Sequence, residues 1–196
     1  MILIAGLGRC GSSLTCQMLA AGGLKVAGAH PDYEPTLLWH QSTEAQRCAI
    51  LQQHQAAKWI DPHRFPLRAT QAGSIVLWLD RDEVQQARSQ IKFGGGLVVR
   101  ENVRQMVKIL RRDRRKAMRA VSREGLLDKP LFSSFEAIIR NPDGFARVLG
   151  RICEVALPGV PFDPAAASAV VLPRGIECQP DVSIETLLLA QKGLAQ

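Results

Sequence analysis

The residues best suited to hold an anion lie near the N-terminus, in the stretch Gly6-Leu7-Gly8-Arg9-Cys10-Gly11-Ser12-Ser13. The pattern GxxxxG followed by two hydroxyl residues matches the phosphate loop of ATPases and kinases, except that Ser12 stands where that loop has lysine. Backbone N–H groups of such a loop, and the N-terminus of the helix after it, still attract an oxyanion. Arg9 can replace the missing cation because its planar guanidinium binds two oxygens at once. A glycine-rich turn without a ligand is the simpler alternative.

A second group of interest follows the apolar run 74–79, where Asp80-Arg81-Asp82 leads into a helical pattern. Arg81, Gln85 and Ser89 are spaced four residues apart, which predicts that they lie near one face of a helix. A long arginine and a short hydroxyl side chain on that face could converge on one phosphate. The alternative is an arginine and a serine on a solvated helix surface.

The elements that position these residues follow from hydrophobic periodicity. Short apolar runs predict strands at 2–5, 57–60, 74–79 and 130–133, and helical patterns fall at 12–21, 41–55, 82–92, 98–122, 142–157 and 183–192. Strands alternating with helices predict an α/β fold, a three-layer sandwich with a central parallel sheet of the P-loop nucleotide-binding type, in one domain over 1–196. Such a sheet binds ligands beyond the carboxyl ends of its strands, which selects 6–13, 61–66, 80–89 and 133–136.

The loop also resembles a known family. Gly6-x-x-Arg9-x-Gly11-Ser12-Ser13-Leu14 is similar to the 5′-phosphosulfate loop of sulfotransferases, which transfer a sulfuryl group from 3′-phosphoadenosine 5′-phosphosulfate (PAPS) to a hydroxyl or amine. The resemblance implies that the 5′-phosphosulfate is bound by Gly8, Arg9, Cys10, Gly11, Ser12 and Ser13. Arg81 and Ser89 match the family's 3′-phosphate segment in position and spacing.

Two later stretches extend the resemblance to bacterial and carbohydrate-type sulfotransferases. Residues 131–163 resemble the strand, turn and capping helix found late in those proteins, with Phe135 where tyrosine is common. Pro173-Arg174-Gly175 is remotely similar to a C-terminal Arg-Lys-Gly segment that grips the 3′-phosphate, which makes Arg174 a further candidate. The implied cofactor is PAPS, or its product adenosine 3′,5′-bisphosphate (PAP), and no metal is expected.

Sulfuryl transfer also needs a base for the acceptor proton and a cation near the departing phosphate, for which Arg9 is the candidate. His63 is the candidate base, because a near-neutral imidazole accepts a proton at physiological pH. Its segment resembles the family's Lys-Thr-His-x-Pro segment only loosely. Asp61 and Glu34 are carboxylate alternatives that the sequence does not rank, and His63 could instead close a turn between two prolines.

The strongest charge feature is the segment 98–123, which is predicted to form one helix with a basic face and an apolar face. Its basic residues are Arg100, Arg104, Lys108, Arg111, Arg112, Arg114, Arg115, Lys116, Arg119 and Arg123, and its apolar face is Val99, Val103, Met106, Val107 and Leu110. The face either guides an anionic acceptor or the cofactor, or is simply solvated. No aromatic residue interleaves with these charges, so nucleic acid is not the expected partner.

Composition sets the outer bounds. The net charge of +7 favours anionic ligands, and 46% apolar residues indicate an ordinary globular protein. Five cysteines without close pairs argue against disulfides or a zinc site and favour the cytoplasm. No apolar run is long enough to span a bilayer, so we expect no membrane insertion.

The expected partner is a polar or anionic small-molecule or glycan acceptor, while the oligomeric state is open. Two other functions stay open: a kinase or NTPase with an altered loop, and a non-catalytic nucleotide-binding module.

Overall fold

The computed structural model of the chain describes residues 1–34, 43–65, 67, 74–123 and 130–178. Within these ranges, four parallel strands form one sheet in the order β2-β1-β3-β4. The strands are β1 (Ile2–Gly6), β2 (Ala56–Ile60), β3 (Ile75–Asp80) and β4 (Leu131–Ser134). All four predicted strands are therefore confirmed to within one residue at each end.

Helices fill most of the remaining described chain. They are α1 (Ser12–Ala21), α2 (Glu44–Gln52), α3 (Glu83–Phe93), α4 (Arg100–Arg123), α5 (Phe135–Arg140), α6 (Pro142–Ala156) and α7 (Pro164–Ala169). The helix predicted at 183–192 lies outside the described residues, as do the first residues of the one predicted at 41–55. None of the described helices has both the length and the apolar character needed to cross a bilayer.

The helices α5 and α7 are additions to the sequence-based prediction. Each begins at a side-chain cap: the Ser134 hydroxyl accepts the N–H of Ala137, and the Asp163 carboxylate accepts the N–H of Ala165 and of Ala166. Capping satisfies N–H groups that the first turn of a helix leaves without partners. These helices have six residues each, too few for periodicity to reveal.

Strands β1, β2 and β3 are buried on both faces of the sheet, whereas the edge strand β4 exposes Leu131 and Phe132. Alternate strand residues such as Ile4 and Leu77 enter one core with α1, α5, α6 and α7, while Leu3 and Trp78 enter a second core with α2, α3 and α4. Period-two alternation between two cores explains why the strands read as continuous apolar runs. The molecule is thus an α/β fold with an all-parallel central sheet covered by helices on both sides.

Strand order fixes where a ligand would bind. From β1 the chain passes to β2 on one side, and then returns to β3 on the other side of β1. In an open parallel sheet, this reversal of direction opens a crevice beyond the carboxyl ends of the two strands concerned. The segments that follow β1 and β3, which contain Arg9 and Arg81, therefore meet at the crevice.

Candidate anion-binding site

The glycine-rich loop, residues 6–13, turns sharply from β1 into α1. Arg9 and Gly11 both have left-handed backbone conformations, with φ of 68° and 95°. Gly11 caps α1 without any side-chain hydrogen bond, and the first turn of α1 has no acidic residue. The partial positive charge of this helix end is therefore not neutralised by a carboxylate of that turn.

Contacts from β3 and α3 hold the loop in place. Arg9 Nε donates to Ser89 Oγ over 3.0 Å, and Arg81 Nη1 donates to the backbone oxygen of Arg9 over 3.3 Å. The amide of Gln86, a buried side chain, donates to the Gly8 oxygen over 2.9 Å. Three residues predicted for the site, Arg9, Arg81 and Ser89, thus lie together although up to 80 positions separate them.

One detail of the prediction is wrong. Arg81 does not share a helix face with Gln85 and Ser89, because α3 begins only at Glu83. Asp82 ends the turn before α3 by accepting the N–H groups of Val84 and Gln85. Arg81 therefore reaches the loop from the turn between β3 and α3. The Gln85 side chain faces another segment, where it accepts the N–H of Cys178 over 2.9 Å.

The segment 171–178, which contacts Gln85 through Cys178, also brings a third arginine, Arg174, to the site. The guanidinium carbons of Arg81 and Arg174 lie 4.4 Å and 5.1 Å from the centre of the Phe135 ring. Arg9 lies 5.1 Å from the centre of the Phe93 ring. Aromatic faces attract cations and keep them positioned without neutralising them.

Two of the three arginines retain unused binding capacity. Among the residues that the structure describes, Arg81 Nε and Arg174 Nε are buried without a hydrogen-bond partner. Burial lowers the pKa of Arg9, Arg81 and Arg174, and the charge of Arg81 lowers the pKa of Arg174 further. Since buried donors without acceptors are costly, an oxyanion that accepts from these groups would stabilise this arrangement.

Phe135 joins the arginines to the loop. It is buried against Gly11, so that a Cβ atom at position 11 would lie only 2.8 Å from Phe135 Cδ2. Phe135 therefore packs against the loop on one side and supports Arg81 and Arg174 with its ring.

Lys58 is the principal site residue that sequence reasoning missed. It lies within β2, opposite Ile4 of β1, and is almost fully buried. Its ammonium group donates to Ser13 Oγ over 2.9 Å, to the Asp32 backbone oxygen over 2.7 Å and to Glu34 Oε1 over 2.8 Å. These bonds use all three of its donors. The ammonium of Lys58 thus reaches the glycine-rich loop from β2, the strand beside β1. The sequence signal that could have identified Lys58 is a charged residue inside an apolar strand.

The three candidate bases differ in their surroundings. Asp61 follows β2 and accepts the N–H of Gly8, and burial raises its pKa. His63 faces α4, where its Nε2 lies 3.9 Å from Asp113 Oδ2, and burial lowers its pKa. The carboxylate of Glu34 is half-exposed and paired with Lys58.

The side chain of Cys10 points away from any ligand. It is fully buried in the core on the α1 side of the sheet, where burial raises its pKa to about 11. Only the backbone of Cys10 can therefore serve an anion. Among the described residues, no cluster of three or more His, Cys, Asp or Glu side chains could hold a metal ion.

Comparisons with protein-family models, with curated proteins and with solved structures found no match for this chain.

Proposed function

We propose that this chain is a sulfotransferase of the P-loop nucleotide-binding type that transfers a sulfuryl group from PAPS to a hydroxyl or amine of an acceptor. The convergence of Arg9, Arg81 and Ser89 at the crevice between β1 and β3 carries the proposal. Arg9 comes from the segment that resembles a 5′-phosphosulfate loop, and Arg81 and Ser89 come from the one that resembles a 3′-phosphate segment. Two independent motifs thus meet where a parallel sheet binds its ligands.

The residues present suit such a cofactor. The backbone of residues 8–13, with Arg9, Ser12 and Ser13, would hold the 5′-phosphosulfate. Arg81, Ser89 and Arg174 would hold the 3′-phosphate, and the unpartnered Nε atoms of the two arginines are suitable donors for it. When bound, PAPS supplies the sulfuryl group, while the chain supplies cations, orientation and a proton acceptor. The proposal includes no metal.

The surroundings of the three candidate bases favour Glu34 as the proton acceptor. Its carboxylate is half-exposed, so an acceptor hydroxyl can reach it, and Lys58 ties it to Ser13. The lowered pKa of His63 keeps its imidazole neutral near pH 7, but its Nε2 faces Asp113. Asp61 is already bound to Gly8.

Three variants test this assignment by sulfuryl transfer from labelled PAPS. We expect Glu34→Gln to lower kcat by about 10² to 10⁴ and to retain bisphosphate binding, because it removes the base and its charge while the amide oxygen can still accept from Lys58. His63→Asn and Asp61→Asn serve as comparisons. A larger loss of kcat in His63→Asn than in Glu34→Gln would assign the base to His63 instead.

The kinase or NTPase alternative needs a carboxylate near the loop for Mg²⁺. Asp80, at the end of β3, already accepts Arg114 Nη2 over 2.8 Å and Trp78 Nε1 over 2.8 Å, and Asp61, after β2, accepts the N–H of Gly8. Asp82 is used as the cap of α3. These contacts favour the sulfotransferase over the NTPase. A cytoplasmic location and a polar or anionic small-molecule or glycan acceptor belong to the same proposal.

Calorimetric titration with adenosine 3′,5′-bisphosphate and, separately, with Mg·ATP tests the proposal. We expect the bisphosphate to bind and Arg81→Met to weaken it by roughly 10 to 100-fold, the usual value of hydrogen bonds to a charged group. Arg151→Met, which changes an exposed arginine of α6, is the matched control and should leave binding unchanged. Binding of Mg·ATP alone would contradict the proposal. Bisphosphate binding without transfer to any acceptor would indicate the non-catalytic module.

A further inference from the structure

An exposed apolar surface lies beside the candidate site, where α3 turns into α4. We call residues 93–99, from the last residue of α3 to the residue before α4, the tip. Four of its side chains are exposed and apolar: Phe93, Leu97, Val98 and Val99, with Leu97 exposed to 78%. So many exposed apolar side chains within seven residues are unusual, since scattered single ones are the norm.

The tip stands away from the sheet. Arg114 pairs with Asp80 over 2.8 Å, and Asp113 lies 3.9 Å from His63, so this part of α4 is level with the carboxyl ends of β3 and β2. Arg100 precedes Asp113 by thirteen residues of one continuous helix, which corresponds to about 20 Å. The first half of α4 therefore extends well beyond those contacts and ends at the tip.

The exposed side of α4 is strongly basic. The helix has ten Lys or Arg residues and two acidic ones, a net charge of +8 against +7 for the whole chain. Five of its basic residues are exposed, form no ion pair with a described residue, and follow one another at intervals of four or seven positions. We call them the basic face: Arg100, Arg104, Lys108, Arg115 and Arg119. This spacing places them along one side of the helix.

We propose that the tip and the basic face dock together on an anionic membrane surface. The apolar tip would enter the headgroup region, and the basic face would bind anionic headgroups beside it. Apolar side chains next to a cationic face are typical of protein segments that bind at a lipid interface without crossing the bilayer.

Charge and composition exclude the other occupants of this surface. A second copy of the chain would bring an identical +8 helix against the first, which like charges oppose. A nucleic acid would match the charge of the basic face, but it would leave the aliphatic side chains of Leu97, Val98 and Val99 without an apolar partner. An anionic lipid surface offers apolar contacts to the tip and anionic headgroups to the basic face.

Docking would bring the candidate site close to the membrane. Phe93, at the start of the tip, lies beneath the Arg9 guanidinium at 5.1 Å. The glycine-rich loop therefore borders the docking surface. The inference does not depend on the proposed function, because vesicle binding is measured without nucleotide.

Cosedimentation with lipid vesicles tests the proposal. The probes are vesicles of phosphatidylcholine alone and vesicles in which phosphatidylglycerol replaces about a third of it. We expect binding only to the anionic vesicles. Arg104→Gln with Lys108→Gln should weaken it by roughly 30-fold, because each basic residue at an anionic surface contributes about five-fold. Leu97→Ser with Val98→Ser should weaken it by about ten-fold or more. Neither pair belongs to the candidate site.

Matched controls come from α6, in the opposite helix layer. Arg147→Gln with Arg151→Gln removes two exposed basic residues, and Val155→Ser removes an apolar side chain that is exposed to 72%. These variants should bind anionic vesicles as the natural protein does, and circular dichroism should show that all variants are folded. Equal binding to neutral vesicles, or equal losses in the α6 variants, would overturn the proposal. Binding to single-stranded RNA that persists in Leu97→Ser with Val98→Ser, without binding to vesicles, would identify a polyanion site instead.

Discussion

The substitution Gly11→Ala tests whether the glycine-rich loop packs against Phe135 as described. Gly11 has φ of 95°, a conformation that costs a non-glycine residue about 1–2 kcal/mol. The new methyl group would also lie 2.8 Å from Phe135 Cδ2, and such overpacking costs about 1–3 kcal/mol. A smaller gain of about 0.4–1 kcal/mol comes from the less flexible unfolded chain. We therefore expect the free energy of unfolding to fall by roughly 2–4 kcal/mol.

Gly159→Ala is the matched control for this prediction. Gly159 has φ of 83°, but no atom lies within 4 Å of the position of its Cβ. It should therefore lose only the conformational part, about 1 kcal/mol. Urea unfolding followed by the fluorescence of the buried Trp59 and Trp78 measures both variants. Equal losses in the two variants would refute the packing of Phe135 against the loop.

Three further predictions concern Lys58, the cysteines and His63. Lys58→Met should lower the free energy of unfolding by about 2–4 kcal/mol, because it removes three hydrogen bonds of a buried ammonium, whereas Lys25→Met at an exposed site should change it by about 0.5 kcal/mol at most. Urea unfolding measures both variants, and equal effects would contradict the three hydrogen bonds of Lys58. Thiol titration with Ellman's reagent should show two fast cysteines, Cys48 and Cys178, and three slow ones, since Cys10, Cys16 and Cys153 are buried with pKa values raised to about 11, 12 and 11; fast reaction of all five in the native protein would be inconsistent with that burial. Burial lowers the pKa of His63 below its usual 6.5, so that the unfolded chain takes up a proton at a higher pH than the folded protein does, and the folded protein loses stability as the pH falls. The midpoint of thermal unfolding should therefore depend less on pH between about 7.5 and 5 in His63→Gln than in the natural protein. An unchanged or steeper dependence would argue against the lowered pKa of His63.

Strands β1, β2 and β3 could be predicted because they are buried on both faces and read as apolar runs, and the more exposed β4 still has the apolar pair Leu131-Phe132. Lys58 shows the limit of that approach: it lies within such a run, and only the folded structure reveals that its ammonium group binds Ser13 in α1 and Glu34 in the segment after α1. The helix α4 was also predicted, because Val103, Met106, Val107 and Leu110 recur with a helical period and pack in the core on that side of the sheet. Val99 precedes the helix and is exposed instead.

The candidate site could be predicted only in part. The spacing within a motif identified Arg9, Arg81 and Ser89, since the carboxyl ends of neighbouring parallel strands share one edge. The resemblance also named Arg174, but spacing could not predict its position over the Phe135 ring or the contact of the same segment with α3, where the N–H of Cys178 donates to Gln85. Nor could it predict that the Asp82 cap leaves Arg81 before α3, off the helix face that the spacing indicated.

The proposed function depends most directly on whether Arg81 recognises a 3′-phosphate. Calorimetry can compare the affinity for adenosine 3′,5′-bisphosphate with that for adenosine 5′-monophosphate, in the natural protein and in Arg81→Met. We expect the natural protein to bind the bisphosphate about 10 to 100-fold more tightly than the monophosphate, and Arg81→Met to bring the two affinities close together. A natural protein that does not distinguish the two ligands, or a preference that survives in Arg81→Met, would contradict it.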